Sequence, residues 1–190
     1  MTVVRVAAVT VVLALLGLLV WDVAHQTNKG IATKVDRGET VTAPDLRLPR
    51  LGGGASFDLA AYRGKVVVLN FWASRCTECK LEAKTLRDAA ARWHGKAVVI
   101  GIDTKDLTFA ARRYMTRYDV NYGIVRDVDG SESNRWGVTG YPETFFVDAS
   151  GRVIPPHVNG PIPADRLNAA YTGVPSRVSV CQLPSGTCET

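Results

Sequence analysis

The chain has 190 residues, which is enough for one domain of ordinary size with extensions at its ends. Its net charge is +5, but basic and acidic residues are interspersed without a dense Lys/Arg block, so nucleic acid is not predicted as a partner. The four cysteines fall into two pairs, a usage that favours an oxidising compartment over a reducing cytosol.

The amino terminus is an almost unbroken apolar run from Val6 to Trp21. At about 1.5 Å per residue the run spans roughly 24 Å, the short end of a membrane span, and its length also fits a cleavable signal peptide. Asp22 stands where a cleavage site requires a small residue, which favours an uncleaved single-pass anchor over residues 1–21. The flanking charges do not fix its orientation. The cysteine pairs place the domain on the extracytoplasmic side of the cytoplasmic membrane.

Residues 22–38 are polar without a sustained period and are interpreted as a tether, and residues 39–173 form the predicted domain. Its first elements are a short hairpin and a strand with an unbroken apolar run, typical of a strand buried on both faces. A helix opening at Thr77 follows, and then a second buried strand. Asp106 is predicted to cap the next helix.

The second half predicts a short helix toward Trp136, a hairpin and a last amphipathic helix from Pro163. Pro155 and Pro156 interrupt the second hairpin strand, which suits a sheet edge or a bulge. This order of elements predicts an α/β fold, a mixed β-sheet with helices on both faces.

A Cys-x-x-Cys pair, Cys76 and Cys79, stands where the first buried strand gives way to a helix. A sulfur in the first helical turn faces unpaired N–H groups and the positive end of the helix dipole, which favour a thiolate. The spacing of three puts Cys79 on the same face, where it can attack a mixed disulfide formed at Cys76. Half of a zinc site and a purely structural disulfide are the alternatives. Redox chemistry is favoured because no other Cys or His residues have zinc-ligand spacing, and neither a cofactor nor a metal is predicted.

Three motifs carry a family resemblance: LNFWASRCTECKLE at 69–82, GIDTKD at 101–106 and GVTGYPETFFVDASGRV at 137–153. In their order and spacing the chain resembles the membrane-tethered thioredoxin-like proteins of the TlpA, ResA and DsbE group. It is most similar to the thiol:disulfide reductases of cytochrome c maturation. The resemblance implies a thioredoxin-like fold over about residues 39–171.

The resemblance also implies roles for individual residues. Cys76 is the expected attacking thiol and Cys79 the buried resolving thiol, joined as a redox disulfide. Pro142 matches the family's cis-proline, which sets the backbone at Tyr141 beside the disulfide, where a partner's extended chain can bind. Glu82 matches an acidic residue that the family keeps near the cysteines, and a carboxylate there can exchange a proton with Cys79.

Trp72 and Glu143 complete the expected substrate-binding residues. Trp72 is expected to pack beside the disulfide, and Glu143 follows the cis-proline, where partner specificity and an ordinary surface charge are both open. The sequence departs from the family at Arg75, whose cation favours the Cys76 thiolate, and at Glu78, whose charge opposes it.

Residues 174–190 lie beyond the resemblance and contain Cys181 and Cys188. Pro184 and Gly186 between them favour a turn that closes a small loop, so a structural disulfide is predicted. A second redox pair that relays electrons to the first is the alternative.

The sequence therefore predicts an extracytoplasmic thiol:disulfide oxidoreductase. The expected partners are disulfide-containing proteins, with apocytochrome c as a candidate, a membrane electron-donor thiol:disulfide protein, and the lipid bilayer through the amino-terminal helix. A net oxidant of secreted proteins is one alternative. The other is a Cu(I)-handling module, since thiolates suit that ion, although no Met/His cluster accompanies the cysteines.

Overall fold

The computed structural model describes residues 2–26, 30–93 and 95–172. The strands are β1 Val41–Thr42, β2 Arg47–Leu48, β3 Phe57–Asp58, β4 Val66–Trp72, β5 Ala97–Thr104, β6 Gly123–Asp127, β7 Glu143–Val147 and β8 Arg152–Asn159. The α-helices are α1 Thr2–Gln26, α2 Ile31–Asp36, α3 Thr77–Trp93, α4 Thr108–Arg117, α5 Ser131–Trp136 and α6 Ala164–Thr172.

The main sheet has the strand order β1-β8-β7-β4-β5-β6, with β4 inside it, parallel to β5 and antiparallel to β7. Leu69 and Phe71 of β4 pack with Trp136 of α5 on one face, and Val68 packs with Leu86 of α3 on the other. Successive side chains of a strand point to opposite faces, which explains why β4 is apolar on both faces except at the buried polar residue Asn70. The predicted mixed α/β sheet with helices on both faces is confirmed.

This packing holds the end of β4 in place. The chain leaves the strand at Trp72, the N–H of Cys76 donates to the carbonyl of Ala73 at 3.0 Å, and α3 begins at Thr77. The Cys-x-x-Cys pair therefore lies at the carboxyl end of a central strand and at the amino end of a helix, as predicted.

The amino-terminal region differs from its prediction. Residues 2–26 are helical, but no helix among the described residues is long and apolar enough to cross a membrane. The predicted transmembrane helix is therefore not confirmed. Residues 22–38 are not an irregular tether throughout, because α2 lies within them and buries Ala32 and Val35 in the core. The predicted loop with Cys181 and Cys188 lies outside the described residues.

Two local predictions are also corrected or refined. Asp106 does not cap α4, because the N-cap position of that helix is Leu107. The Asp106 carboxylate instead accepts hydrogen bonds from the N–H groups of Ser74 and Leu107. β8 continues through Pro155 and Pro156, where the short strand β1 no longer pairs with it, so this half of β8 is a sheet edge. The β7–β8 hairpin contains a register shift, consistent with the predicted irregularity.

Candidate active site

Cys76 and Cys79 form a disulfide at the junction of β4 and α3, with their Cα atoms 5.4 Å apart. Cys76 is partly exposed, whereas Cys79 is 1% exposed. A partner in solution can therefore reach the sulfur of Cys76 but not that of Cys79. This asymmetry matches the predicted division into an attacking and a resolving thiol.

The backbone around Cys76 favours a thiolate in the reduced form. The N–H of Cys79 donates to Sγ of Cys76 at 3.0 Å, and the amino end of α3 adds the positive end of its dipole. Arg75, expected to favour the thiolate, donates to the carbonyl of Lys105 at 2.8 Å. Its guanidinium is thus held by the loop that follows β5.

A loop before β7 faces the disulfide from the other side. The Tyr141–Pro142 peptide bond is cis, as predicted, and the carbonyl oxygen of Tyr141 lies 3.3 Å from Sγ of Cys76. The Tyr141 side chain packs against the cluster that contains Trp72 and Cys79. The structure thus brings together five of the predicted site residues: Cys76, Cys79, Trp72, Tyr141 and Pro142.

Trp72 lies beneath this surface. It is 2% exposed, and its ring centroid is 4.4 Å from that of Tyr114, whose hydroxyl donates to the carbonyl of Cys79 at 2.7 Å. Trp72 therefore packs beside the disulfide, as expected, but it offers almost no surface to a substrate. Its predicted substrate contact is corrected to a supporting one.

Glu82 is a buried acid one helical turn after Cys79. It is 2% exposed, and its carboxylate accepts from Nδ2 of Asn70 and from the N–H of Ile162, both at 2.7 Å. Burial raises the pKa of Glu82 to about 7, although both hydrogen bonds act in the opposite direction. An acid with this pKa changes its protonation state near neutral pH, as proton exchange with a thiol requires.

Glu143 is not a surface charge, because it is fully buried. Its Oε1 accepts from the N–H and hydroxyl of Thr139 and from the N–H of Gly140, at 2.8 to 2.9 Å. Its Oε2 lies 3.2 Å from Nε2 of His157, and Nδ1 of that histidine lies 2.6 Å from Oδ1 of Asp36. The predicted partner contact of Glu143 is therefore corrected: the side chain holds the loop that precedes the cis-proline.

The geometry of the cysteine pair and the cis-proline agrees with the family to which the sequence is similar. The sequence profile of the AhpC/TSA family matches residues 40–155, more than half of the chain. The chain belongs to the AhpC/TSA family. The matched range contains Cys76, Cys79, Glu82 and Pro142. The relatives of this chain confirm the resemblance inferred from the motifs.

Several relatives are named as thiol:disulfide interchange proteins or thiol-disulfide oxidoreductases. The thiol:disulfide interchange protein DsbE of Pseudomonas fluorescens biotype C is 36% identical over 109 residues, which are 57% of this chain and 60% of that protein. The DsbE of Allochromatium vinosum is 36% identical over 155 residues, covering 80% of this chain and 81% of that protein. The chain thus spans less than two thirds of the first of these relatives.

A solved structure with the same fold is a secreted Mycobacterium tuberculosis disulfide oxidoreductase homologous to Escherichia coli DsbE. It is 30% identical, covers 68% of this chain and 96% of its own, and superposes with a TM-score of 0.61. This similarity supports the thioredoxin-like fold of this AhpC/TSA family member.

Asp103 is an acid near the site that the sequence interpretation missed. It is fully buried at the end of β5, and its Oδ2 lies 2.9 Å from Nε of Arg126, an ion pair without hydrogen-bond geometry. Burial and the neighbouring Asp106 carboxylate raise the pKa of Asp103 to about 7. The signal was present in the sequence, because an acid ends an apolar strand beside the strand that carries the cysteines.

Asp36 and His157 were also missed, and no sequence signal links them. They are 121 positions apart, one on α2 and the other on β8. Only the packing of these two elements brings them to Glu143. Among the described residues no group of three or more Cys, His, Asp or Glu side chains is arranged to hold a metal ion.

Proposed function

We propose that this protein is a thiol:disulfide oxidoreductase that exchanges the Cys76–Cys79 disulfide with disulfides of other proteins. The observation that carries the proposal is the difference in exposure between the two cysteines. Cys76 is partly exposed beside the Tyr141 carbonyl, whereas Cys79 is buried. The thiol:disulfide names of several relatives support it.

In the reducing direction, the thiolate of Cys76 attacks one sulfur of a partner disulfide. A bond forms between Cys76 and that sulfur, the partner's S–S bond breaks, and the second partner sulfur leaves as a thiolate and takes a proton. The N–H of Cys79 stabilises the attacking anion. The partner is then joined to the protein through a mixed disulfide.

Cys79 completes the reaction. Its thiol gives its proton to the Glu82 carboxylate and attacks Sγ of Cys76, which releases the first partner sulfur as a thiolate that is protonated in turn. The partner gains two electrons and two protons, and the Cys76–Cys79 dithiol is oxidised to the disulfide. A second thiol:disulfide protein is needed to reduce the pair again, and we propose one in the membrane.

The proposed clients are proteins with disulfides that must be reduced, apocytochrome c among them. The resemblance to reductases of cytochrome c maturation supports this client class. The reduction potential separates this direction from net oxidation of secreted proteins: a value near that of thioredoxin, about −270 mV, fits a reductant, and one near −120 mV fits an oxidant.

We also propose that the domain works on the extracytoplasmic side of the cytoplasmic membrane, attached through residues 1–21. The apolar run from Val6 to Trp21 and the two cysteine pairs support this location. A secreted structural relative supports it as well.

A trapping experiment tests the function. Cys79→Ser removes the resolving thiol, so the mixed disulfide at Cys76 persists and a partner remains covalently attached. We expect adducts that disappear on treatment with dithiothreitol, seen by non-reducing electrophoresis of the affinity-purified protein. The captured proteins identify the client class, and clients that reside outside the cytoplasm support the proposed location.

The matched control is the Cys76→Ser/Cys79→Ser double variant, which has the same second substitution but no attacking thiol. It should yield none of the adducts. Absence of any dithiothreitol-sensitive adduct with Cys79→Ser, or equal recovery with the double variant, contradicts the proposal.

A further inference from the structure

A basic cleft lies beside the disulfide, between the active-site turn and α4. Its volume is about 380 Å³, and it is lined by Ser74, Lys80, Ala110, Arg113, Tyr114, Arg117 and Tyr118. Ser74 precedes Cys76 by two positions and Lys80 follows Cys79 directly. Neither cysteine lines the cleft, so a molecule bound there would lie beside the active-site turn and not on the sulfurs themselves.

The cations of the cleft are not paired with a carboxylate in the part of the chain that the structure describes. Lys80, Arg113 and Arg117 are exposed, and none of them forms an ion pair within 30–93 and 95–172. No carboxylate lines the cleft. Asp106, the acid bonded to a lining residue, accepts the backbone N–H groups of Ser74 and Leu107.

The two arginines of the cleft repel each other. Arg113 and Arg117 are four residues apart on α4, where like charges repel. Aromatic rings lie beside both guanidiniums: Cζ of Arg113 is 6.0 Å from the centroid of Phe109, and Cζ of Arg117 is 6.0 Å from that of Tyr118. Among the described residues, the α4 cations thus have neighbouring aromatic rings but no ion pair with a carboxylate, and an acidic ligand would relieve their repulsion.

The cleft is also connected to the reacting pair. Tyr114, which lines it, donates its hydroxyl hydrogen bond to the carbonyl of Cys79 at 2.7 Å. In the sheet β4 lies between β7 and β5, so the cis-proline loop that precedes β7 and the helix α4 that follows β5 flank the disulfide on opposite sides. A partner chain joined to Cys76 can contact both.

We propose that the cleft binds an acidic segment of the protein partner, close in sequence to the partner's exchanged cysteine. This inference rests on the proposed function and adds to it the charge of the preferred client. Glutamate or aspartate side chains of the client pair with Arg113, Arg117 and Lys80 while its cysteine sulfur meets Cys76. The cleft then acts as a specificity site on the side of the disulfide opposite the cis-proline loop.

The test uses the full chain and two peptides with one internal disulfide each, which differ only in whether the flanking residues are glutamates or glutamines. The readout is the ratio of kcat/KM for reduction of the acidic peptide to that of the neutral one. We expect a ratio of about ten at low salt that falls toward one as added salt screens the charges.

Arg113→Gln/Arg117→Gln should lower this ratio severalfold, and Lys80→Gln should lower it by a smaller factor. The matched control is Lys65→Gln/Lys96→Gln, which removes the same two charges from exposed lysines that precede β4 and β5, at the opposite end of these strands. The control should keep the parent ratio, so that a general effect of net charge is separated from the cleft.

A parent ratio near one, a ratio that survives loss of both arginines, or an equal decrease in the control overturns the inference. In each of these cases reduction of the neutral peptide by the parent still upholds the oxidoreductase function. If the parent reduces neither peptide and Cys79→Ser traps no partner, the proposed function itself fails.

Discussion

At the scale of single residues, the site combines an accessible sulfur with buried acids. Glu82 and Asp103 are almost completely inaccessible, and burial raises the pKa of each to about 7. Buried carboxyls with such pKa values are costly to ionise, and groups of this kind concentrate at functional sites. Glu82 is the better candidate for proton exchange because it follows Cys79 by three positions on the same helix face.

Glu82→Gln removes this titrating group and keeps the side chain's size. In the parent, the rate at which Cys79 resolves the mixed disulfide should rise with pH through about 7. Glu82 can accept the thiol proton in its ionised form but not in its protonated form. The variant should resolve the mixed disulfide at least about tenfold more slowly at pH 7.5, because general-base assistance is lost. Rapid acid quenching of the peptide mixed disulfide gives the rate.

The control is Glu78→Gln, which alters an exposed carboxylate in the first turn of the same helix. It should leave the dependence near pH 7 in place. A Glu82→Gln profile with the same inflection and rate as the parent would show that another group handles the proton.

Sequence reasoning located the residues that act through local spacing. Cys76 and Cys79 were predictable because the strand-to-helix change and the three-residue interval are local properties. Pro142 and Tyr141 followed from the family motif. The burial of Glu143 was not predictable, because it depends on the backbone of 139–140 folding over its carboxylate and on a histidine from β8.

At the scale of elements, α2 is joined to the cis-proline loop through β8. Asp36 of α2 contacts His157 of β8, and His157 contacts Glu143, which accepts from the N–H groups of Thr139 and Gly140. The His157 side chain is 6% exposed and its ring stacks on Phe145 at 4.8 Å. Three separate elements therefore meet in one charged contact behind the loop.

The contact predicts a pH-dependent stability. Burial lowers the pKa of His157, but its hydrogen bonds to Glu143 and Asp36 outweigh burial and raise it above 6.5. The imidazolium therefore contributes stability in full below pH 6.5, and this contribution is lost as pH rises through the folded-state pKa. Although burial opposes it, hydrogen bonding lowers the pKa of Glu143, whose contribution is present above pH 4.5 and lost at lower pH.

His157→Gln should consequently reduce the free energy of unfolding most near pH 6, by about 1–2 kcal/mol, and less at pH 8.5. Urea denaturation of the oxidised protein at both pH values measures the difference. Asp36→Asn, which removes only the more exposed partner, should show a smaller loss of the same sign. An equal loss for His157→Gln at pH 6 and pH 8.5 would mean that packing, not charge, accounts for the contact.

At the scale of the whole molecule, the sheet and its helices could be predicted because each element has a clear period, and their packing follows from it. The amino-terminal boundary could not. α2 has only six residues, too short for a periodic signal, and its fit depends on a distant element. A Cβ on Gly30, which precedes α2, would lie 2.6 Å from Cα of Gly137, so the chain needs glycine at this close approach.

A pair of truncated chains tests this boundary. A chain that begins at residue 30 retains α2, whereas one that begins at 39, the predicted boundary, loses the buried side chains of Ala32 and Val35 and the Asp36 contact to His157. From the apolar area involved, the shorter chain should be less stable by roughly 2–4 kcal/mol in urea denaturation with the Cys76–Cys79 disulfide intact. Val35→Ala in the longer chain serves as the matched partial change and should lose roughly 1 kcal/mol or more. Equal stability of the two truncated chains would return residues 30–38 to the tether, and with them the Asp36 end of the contact behind the cis-proline loop.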